Sequence, residues 1–265
     1  MMNINTVKLF KVDEYHRLIE LKFFNEDDHI ELIRGRIMQL AEVKRFTVEE
    51  YHRLADLGFF HEDDRVELIR GEIIQMAAKG TPHSTCCSNL IMELASLVAG
   101  VAKLRCQDPV KLASNSEPEP DFTIVKQRSD NYLSAHPNPS DILLIIEIAD
   151  SSVKYDQEFK LRLYAEAGIS DYWIFNLVEN HLEAYSEPFQ ELQGNFGYRL
   201  KRIVLPNEAI ALPCFSDKSL DLSKVFPGIE REMMNAQCRG SARKTVTRCG
   251  IVGSRSGVIE ENRAN

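Results

Sequence analysis

Three residues in the middle of the chain have the types that phosphate chemistry needs. Glu147 interrupts "ILLIIEIA" (142–149), a run whose other members have every reason to exclude charge. Flanked by Leu143, Leu144, Ile145, Ile146 and Ile148, it belongs to a strand covered on both faces. Burying an unpaired carboxylate costs several kcal/mol, so Glu147 must be neutralised, paired with a cation or bound to a metal ion. Asp121 opens a second strand-like run in "EPEPDFTIVK", where Pro120 holds the chain extended. Two acids near the ends of neighbouring strands supply the oxygen ligands that Mg²⁺ or Mn²⁺ prefers. Lys160 lies in "DQEFKLRLYAEAG"; at about 100° per residue, a helical wheel places it in an apolar arc with Phe159, Leu163, Tyr164 and Ala167. A lysine aimed at the core wants an anionic partner, and the preceding strand offers Glu147. Acid, acid and lysine at one point form a constellation for phosphodiester hydrolysis. A metal ion would polarise a phosphoryl oxygen and acidify a water, while the ammonium steadies developing charge.

Each of these residues also has a plainer reading. Glu147 and Lys160 fit a buried ion pair without metal, Lys160 fits a side chain snorkelling along its helix, and Asp121 fits a turn residue that starts a strand. Asp156 is read as a helix N-terminal residue rather than a ligand. Tyr172 and Trp173 in "DYWIF" follow strand alternation and are read as core.

The chain that must position these groups has 265 residues, 44% of them hydrophobic, enough for one sizeable core or a core with appendages. A net charge of −8 and a pI near 5.5 argue against a protein that coats nucleic acid by bulk electrostatics, so any phosphate chemistry must be local. The six cysteines show neither paired zinc-ligand spacing nor a disulfide-dense pattern and read as reduced thiols in a cytoplasm. No run approaches the roughly 18 to 20 apolar residues of a membrane span.

The N-terminus is duplicated. "FKVDEYHRLIELKFFNEDDHIELIRGRIMQLA" from Phe10 recurs as "FTVEEYHRLADLGFFHEDDRVELIRGEIIQMA" from Phe46, an offset of 36 with 21 identities over residues 10 to 43. Two copies fall short of a solenoid. The second runs directly into the rest of the chain, so residues 1–44 are assigned as an appendage and 45–228 as the domain. How the appendage packs cannot be read from its residues. The runs "NEDDH" and "HEDDR" read as solvated loops. In the second copy, Thr47 followed by Glu50 has capping-box spacing and predicts a short helix, after which "RVELIRGEIIQMA" predicts a hairpin around Gly71. "TPHSTCCSNLIMELASLVAG" predicts a helix with Thr81 as N-cap, Pro82 at the first position and Gly100 as terminator. Strands are expected in "LRCQDPVKL", "PDFTIVK", "ILLIIEIA", "DYWIFNL" and "HLEAYSE", with a helix ending at Gly168. The order predicts a mixed α/β fold, helices flanking a mixed sheet. Residues 229–265, with seven Arg or Lys against three Glu after residue 230 and little apolar periodicity, are expected to be a disordered tail.

"VELIRGEIIQM", "PHS", "PEPDFTIV" and above all "IIEIADSSVKYDQEFKLRLYAEAGISDYWIF" resemble the Uma2 family of endonucleases, within the PD-(D/E)xK restriction-endonuclease-like superfamily. The resemblance spans roughly residues 45 to 226. It implies a restriction-endonuclease-like core, Mg²⁺ or Mn²⁺ as cofactor, DNA as substrate, and Asp121 and Glu147 as metal ligands. Lys160 resembles a catalytic lysine moved onto the following helix, because Ala149 stands where the parent motif has lysine. Glu67 matches an acidic position early in the family pattern, completing the metal site or reaching it through water. Asp156 and His83 also match, and His83 could approach the substrate phosphate. The competing plain readings are a structural Glu67, like its counterpart Glu31, and a packing His83. The expectation is therefore a metal-dependent endodeoxyribonuclease that works as a single chain or a homodimer. The alternatives are a catalytically silent relative that binds nucleic acid or protein, and an interaction module built on the duplication.

Overall fold

A computed structural model describes residues 6–25, 27–40, 42–61 and 64–227, and every structural statement here concerns those residues. The expected disordered tail lies outside them.

The elements run β1 (Thr6–Val7), α1 (Val12–Glu20), β2 (Ile30–Ile33), β3 (Arg36–Gln39), β4 (Glu42–Val43), α2 (Val48–Asp56), β5 (Val66–Ile69), β6 (Glu72–Gln75), α3 (Thr81–Val98), β7 (Lys103–Cys106), β8 (Phe122–Val125) and β9 (Ile142–Ala149). A π-helical turn (Tyr155–Lys160) follows, then α4 (Leu161–Glu166), β10 (Asp171–Asn176), β11 (His181–Gln190), β12 (Phe196–Val204), β13 (Ala209–Leu212) and β14 (Phe215–Asp221). The centre is a six-stranded mixed sheet of order β12-β11-β10-β9-β8-β7. Only β9 and β10 pair in parallel, joined by the crossover that contains the π turn and α4.

Strand alternation places Glu147 on the face of Ile145 and Ala149, which pack with Tyr164, Tyr172 and Ile174 beneath the crossover. α3 packs against β7, β9 and β14. With helical elements over it and strands on both sides, β9 is buried along almost its whole length, as its apolar run predicts.

Several expectations hold and some shift. Thr47 caps α2, accepting from the Glu50 amide at 3.2 Å, while the Glu50 carboxylate accepts from the Thr47 amide at 2.8 Å. β5 and β6 form the hairpin around Gly71, whose φ of +76° and closeness to Arg45 leave no room for a side chain: an added Cβ would meet Arg45 Cβ at 2.7 Å. The helix expected after Thr81 starts one residue earlier, with Gly80 at the cap position and Pro82 second in the helix. Gly100, in the left-handed region, follows its end. The strand expected over 104–112 stops at Cys106 because Gln107 turns to positive φ and Pro109 cannot donate to a ladder.

The larger correction concerns the helix after Glu147. Residues 155–160 form a π turn, with the Leu161 amide donating to the Asp156 carbonyl. The additional residue in that turn breaks the 100° phase. Phe159 therefore leaves the apolar arc and is exposed, stacked on Tyr155 at 5.2 Å between ring centroids, while Asp156 and Lys160 both point inward.

The appendage packs against the domain. Phe10, Leu18, Phe23 and Ile37 of the first copy share one cluster with Phe46, Val48, Leu54, Phe59, Leu68 and Ile73 of the second. No helix among the described residues is long and apolar enough to cross a membrane.

Candidate active site

Asp121, the residue before β8, lies one step beyond the Phe122–Ile146 pair, so its backbone reaches Glu147 on the adjacent strand. Its amide donates to Glu147 Oε2 at 3.3 Å, and the Ile148 amide donates to Asp121 Oδ2 at 2.9 Å. From the crossover, Lys160 donates to Glu147 Oε1 at 2.9 Å and Tyr164 OH donates to the same oxygen at 2.8 Å. The three residues on which the sequence reading rests are thus brought together, each nearly inaccessible to solvent. The lysine in contact with Glu147 comes from the crossover, not from position 149, which is alanine.

A cleft of about 60 Å³ opens over them, lined by His83, Asp121, Glu147, Asp156 and Lys160 together with Arg65, Lys79 and Glu119. A single buried water needs about 10–15 Å³, so the space is large enough for an ion with a few waters. Asp121 is the focus of positive charge. Lys79 Nζ lies 2.9 Å from its Oδ1 and His83 Nε2 lies 3.1 Å from its Oδ2. Burial pushes the Asp121 carboxyl up, but the His83 contact, the Lys79 charge and the Ile148 amide outweigh it and hold the group well below the usual carboxylate range. His83 Nδ1 is buried and has no partner among the described residues.

Glu147 behaves in the opposite way. Burial raises its pKa, and the attraction of Lys160 only partly offsets the rise, with Asp121 and Glu67 adding like charge. Asp156 is raised well above normal by burial and by Glu147, although Ser152 Oγ donates to it at 2.5 Å. Lys160 is opposed by burial and yet raised well above the ordinary lysine value, because Glu147, Glu67 and Asp156 surround it. Displaced carboxyl pKa values of this kind occur in functional sites and in buried structural ion-pair networks alike.

Glu67 does not line the cleft. Its carboxylate lies behind Lys160, 3.5 Å from Nζ, and accepts from the Glu119 amide at 3.1 Å and from Tyr155 OH at 3.4 Å. Of the two places expected for Glu67, completing the metal site or reaching it through water, the geometry shows a carboxylate set back from the cleft and in contact with the lysine. Its counterpart Glu31 is exposed, so one sequence motif has two fates set by what docks on it. Sequence reasoning missed Lys79, which sits in the loop before α3 without any periodic signal. Asp156 does stand in the first turn of the helical segment, as read from the sequence, and its spacing of four from Lys160 places both on the buried face.

The described residues contain one compact metal-type grouping, Glu179, His181 and Glu183, with ligand atoms all within 4.8 Å of one another. It is not the predicted site. Glu183 is already saturated by Lys201 at 2.9 Å, Gln157 at 2.7 Å, Tyr185 at 2.5 Å and Asn176 at 3.2 Å. Despite burial, these bonds hold its pKa at about 2. An ion would have to displace an ammonium at either place, Lys201 from Glu183 or Lys79 from Asp121, so the two differ in their surroundings rather than in their ion pairs. Asp121 and Glu147 instead offer an all-oxygen donor pair opening on a cleft, which fits a hard divalent cation.

The profile of the Uma2 family, described as "Putative restriction endonuclease", matches residues 48–223. The chain belongs to the Uma2 family. A crystal structure of a "putative nuclease belonging to DUF820" from Anabaena variabilis has the same fold, with a TM-score of 0.53 and 18% identity over 68% of this chain and 97% of that one. No curated protein matches the chain significantly. The Uma2 match begins at Val48, so it takes in the second copy of the duplication, including Glu67, and leaves out the first.

Proposed function

We propose that this Uma2 protein is a divalent-metal-dependent endonuclease that hydrolyses DNA phosphodiester bonds, with Asp121 and Glu147 as ligands of Mg²⁺ or Mn²⁺. The observation that carries the proposal is the meeting of Asp121, Glu147 and Lys160 at one cleft, in a chain of the family described as "Putative restriction endonuclease". A bound ion would supply Lewis-acid polarisation of a phosphoryl oxygen and acidify a water. The chain's own residues do the rest. Lys160, locked in its charged form by Glu147, Glu67 and Asp156, serves as a fixed positive charge for the oxyanion developing on phosphorus. Tyr164 and the Asp121 amide fix the Glu147 carboxylate, leaving its orientation independent of substrate. Glu67 positions Lys160 from behind. Lys79 and His83 keep Asp121 ionised and ready to bind a cation, and on binding they are free to turn toward the substrate phosphate.

One observation favours a second reading, a silent DNA-binding relative: Asp121 is already neutralised by two side chains. A supercoiled-plasmid assay separates the two. The nuclease reading expects cleavage with Mg²⁺ or Mn²⁺ that EDTA abolishes, and a loss of about 100-fold or more in Asp121→Ala, Glu147→Ala and Lys160→Ala. DNA binding without metal-dependent cleavage, over a range of sequences and ions, would establish the silent reading.

A further inference from the structure

The two copies of the duplication face each other through contacts that repeat when 36 is added or subtracted. The Arg17 guanidinium lies 4.7 Å from the Phe59 ring centroid, and Arg53 lies 5.0 Å from that of Phe23. The hydrogen bonds of these arginines are reciprocal in region though not residue for residue: Arg17 donates to the Leu57 carbonyl at 2.6 Å, and Arg53 donates to the Lys22 and Phe23 carbonyls, one and two residues beyond the equivalent Leu21, at 3.3 and 3.4 Å. Phe10 packs on Phe46, its own equivalent, at 5.9 Å between centroids, as a residue on a two-fold axis must. The short strands are exchanged as well. β1 pairs with β6 of the second copy through Thr6–Gln75 and Val7–Ile74, whereas β4 pairs with β3 of the first through Glu42–Gln39 and Val43–Met38. The flanking amides repeat the exchange: Lys8 donates to the Ile73 carbonyl and Lys44 to that of Ile37, both at 2.8 Å.

Reciprocity of this kind, residue i on j and equivalent j on i, is the signature of an isologous interface between identical subunits. A helix-hairpin appended by chance and packed wherever it fitted would have no reason to show it. The residues that carry it are the same type in both copies: Val7 and Val43, Lys8 and Lys44, Phe10 and Phe46, Arg17 and Arg53, Leu18 and Leu54, Phe23 and Phe59. Only the second copy continues into the sheet and cleft; the first reproduces the interface and ends.

We infer that the face built by residues 42–75 is a homotypic two-fold surface whose partner is the same segment of another chain, and that residues 6–40 act as a built-in second subunit occupying it. The occupied face keeps one chain from pairing with another there, and strand 42–43 takes within one chain the place it would otherwise hold across a dimer. This is independent of the chemistry proposed for the cleft.

The test measures mass by light scattering on the full chain. Two variants release the first copy without touching the second: Leu18→Asp, which puts a charge into the shared cluster, and Arg17→Glu/Phe23→Ser, which removes the first copy's half of both cation–ring pairs. The unaltered chain is expected to show the mass of one chain, each variant twice that mass at micromolar concentration, and addition of Leu54→Asp to either is expected to halve it again. If both variants keep the mass of the unaltered chain, or if the doubled mass survives Leu54→Asp, the inference is overturned.

Discussion

Lys160→Met is the most informative single change, because the same ammonium is asked to hold the site together and to serve it. Lys160 Nζ lies 2.9 Å from Glu147 and 3.5 Å from Glu67. Methionine keeps the length of the chain and removes the charge, leaving Glu147, Glu67 and Asp156 buried without their common counter-ion. Breaking a buried pair by removing one partner costs about 3–5 kcal/mol. For a chain of this size each kcal/mol lowers Tm by about 2–4 °C, so a fall of roughly 6–20 °C is expected at pH 8. The sign of the pH dependence follows from the shifts. Lys160 is raised, so its contribution is complete throughout the neutral range and is lost only as pH rises through its elevated folded pKa. Glu147 and Asp156 are raised carboxyls, so their protonated forms favour the folded state at low pH, and that benefit disappears as pH rises through their folded values. Without the lysine, both carboxyls rise further and the folded state takes up protons more readily. The deficit of Lys160→Met should therefore shrink between pH 8 and pH 5. Differential scanning calorimetry of both proteins across that range measures it. A deficit that is absent, or constant over the range, would refute the claim that Lys160 neutralises this carboxylate cluster.

Asp156→Asn should stabilise the protein by about 0.5–2 kcal/mol at pH 8, with little change at pH 5, because the substitution removes a carboxyl that burial and Glu147 make costly to ionise; thermal melts at the two pH values test this. Glu31→Gln and Glu67→Gln change the same letter in the two copies. The first, at an exposed position, should alter stability by less than about 0.5 kcal/mol and leave cleavage intact, while the second should depress the cleavage rate by loosening Lys160. Parallel melts and plasmid assays compare them.

How much of this was legible depended on the kind of signal. Glu147 stood out because apolar neighbours on both sides made its burial unavoidable, and Pro120 marked where Asp121 would start its strand. Lys160 was found by a helical wheel whose conclusion survived although its geometry did not. The π turn displaced Phe159 to the surface yet kept Lys160 inward, and nothing in residue periodicity encodes one additional residue in a turn. Glu67 and Glu31 are indistinguishable by local sequence, because their difference arises from the segment around Glu117 that pairs with Leu68 and has no counterpart on the first copy. Lys79 came from a loop, where type alone carries no directional information. The reciprocal packing of the two copies was invisible for a related reason: identity at an offset of 36 reveals duplication, but only coordinates reveal which copy each side chain touches.

The central claim is that Asp121 and Glu147 together bind a divalent ion beside Lys160. Crystals soaked in Mn²⁺ and measured at the manganese absorption edge test it most directly. The account predicts an anomalous peak within coordination distance of one Asp121 and one Glu147 oxygen, with Lys79 moved off Asp121. A peak at Glu179, His181 and Glu183 instead, or a saturating soak that leaves the cleft between Asp121 and Glu147 without manganese, would contradict it.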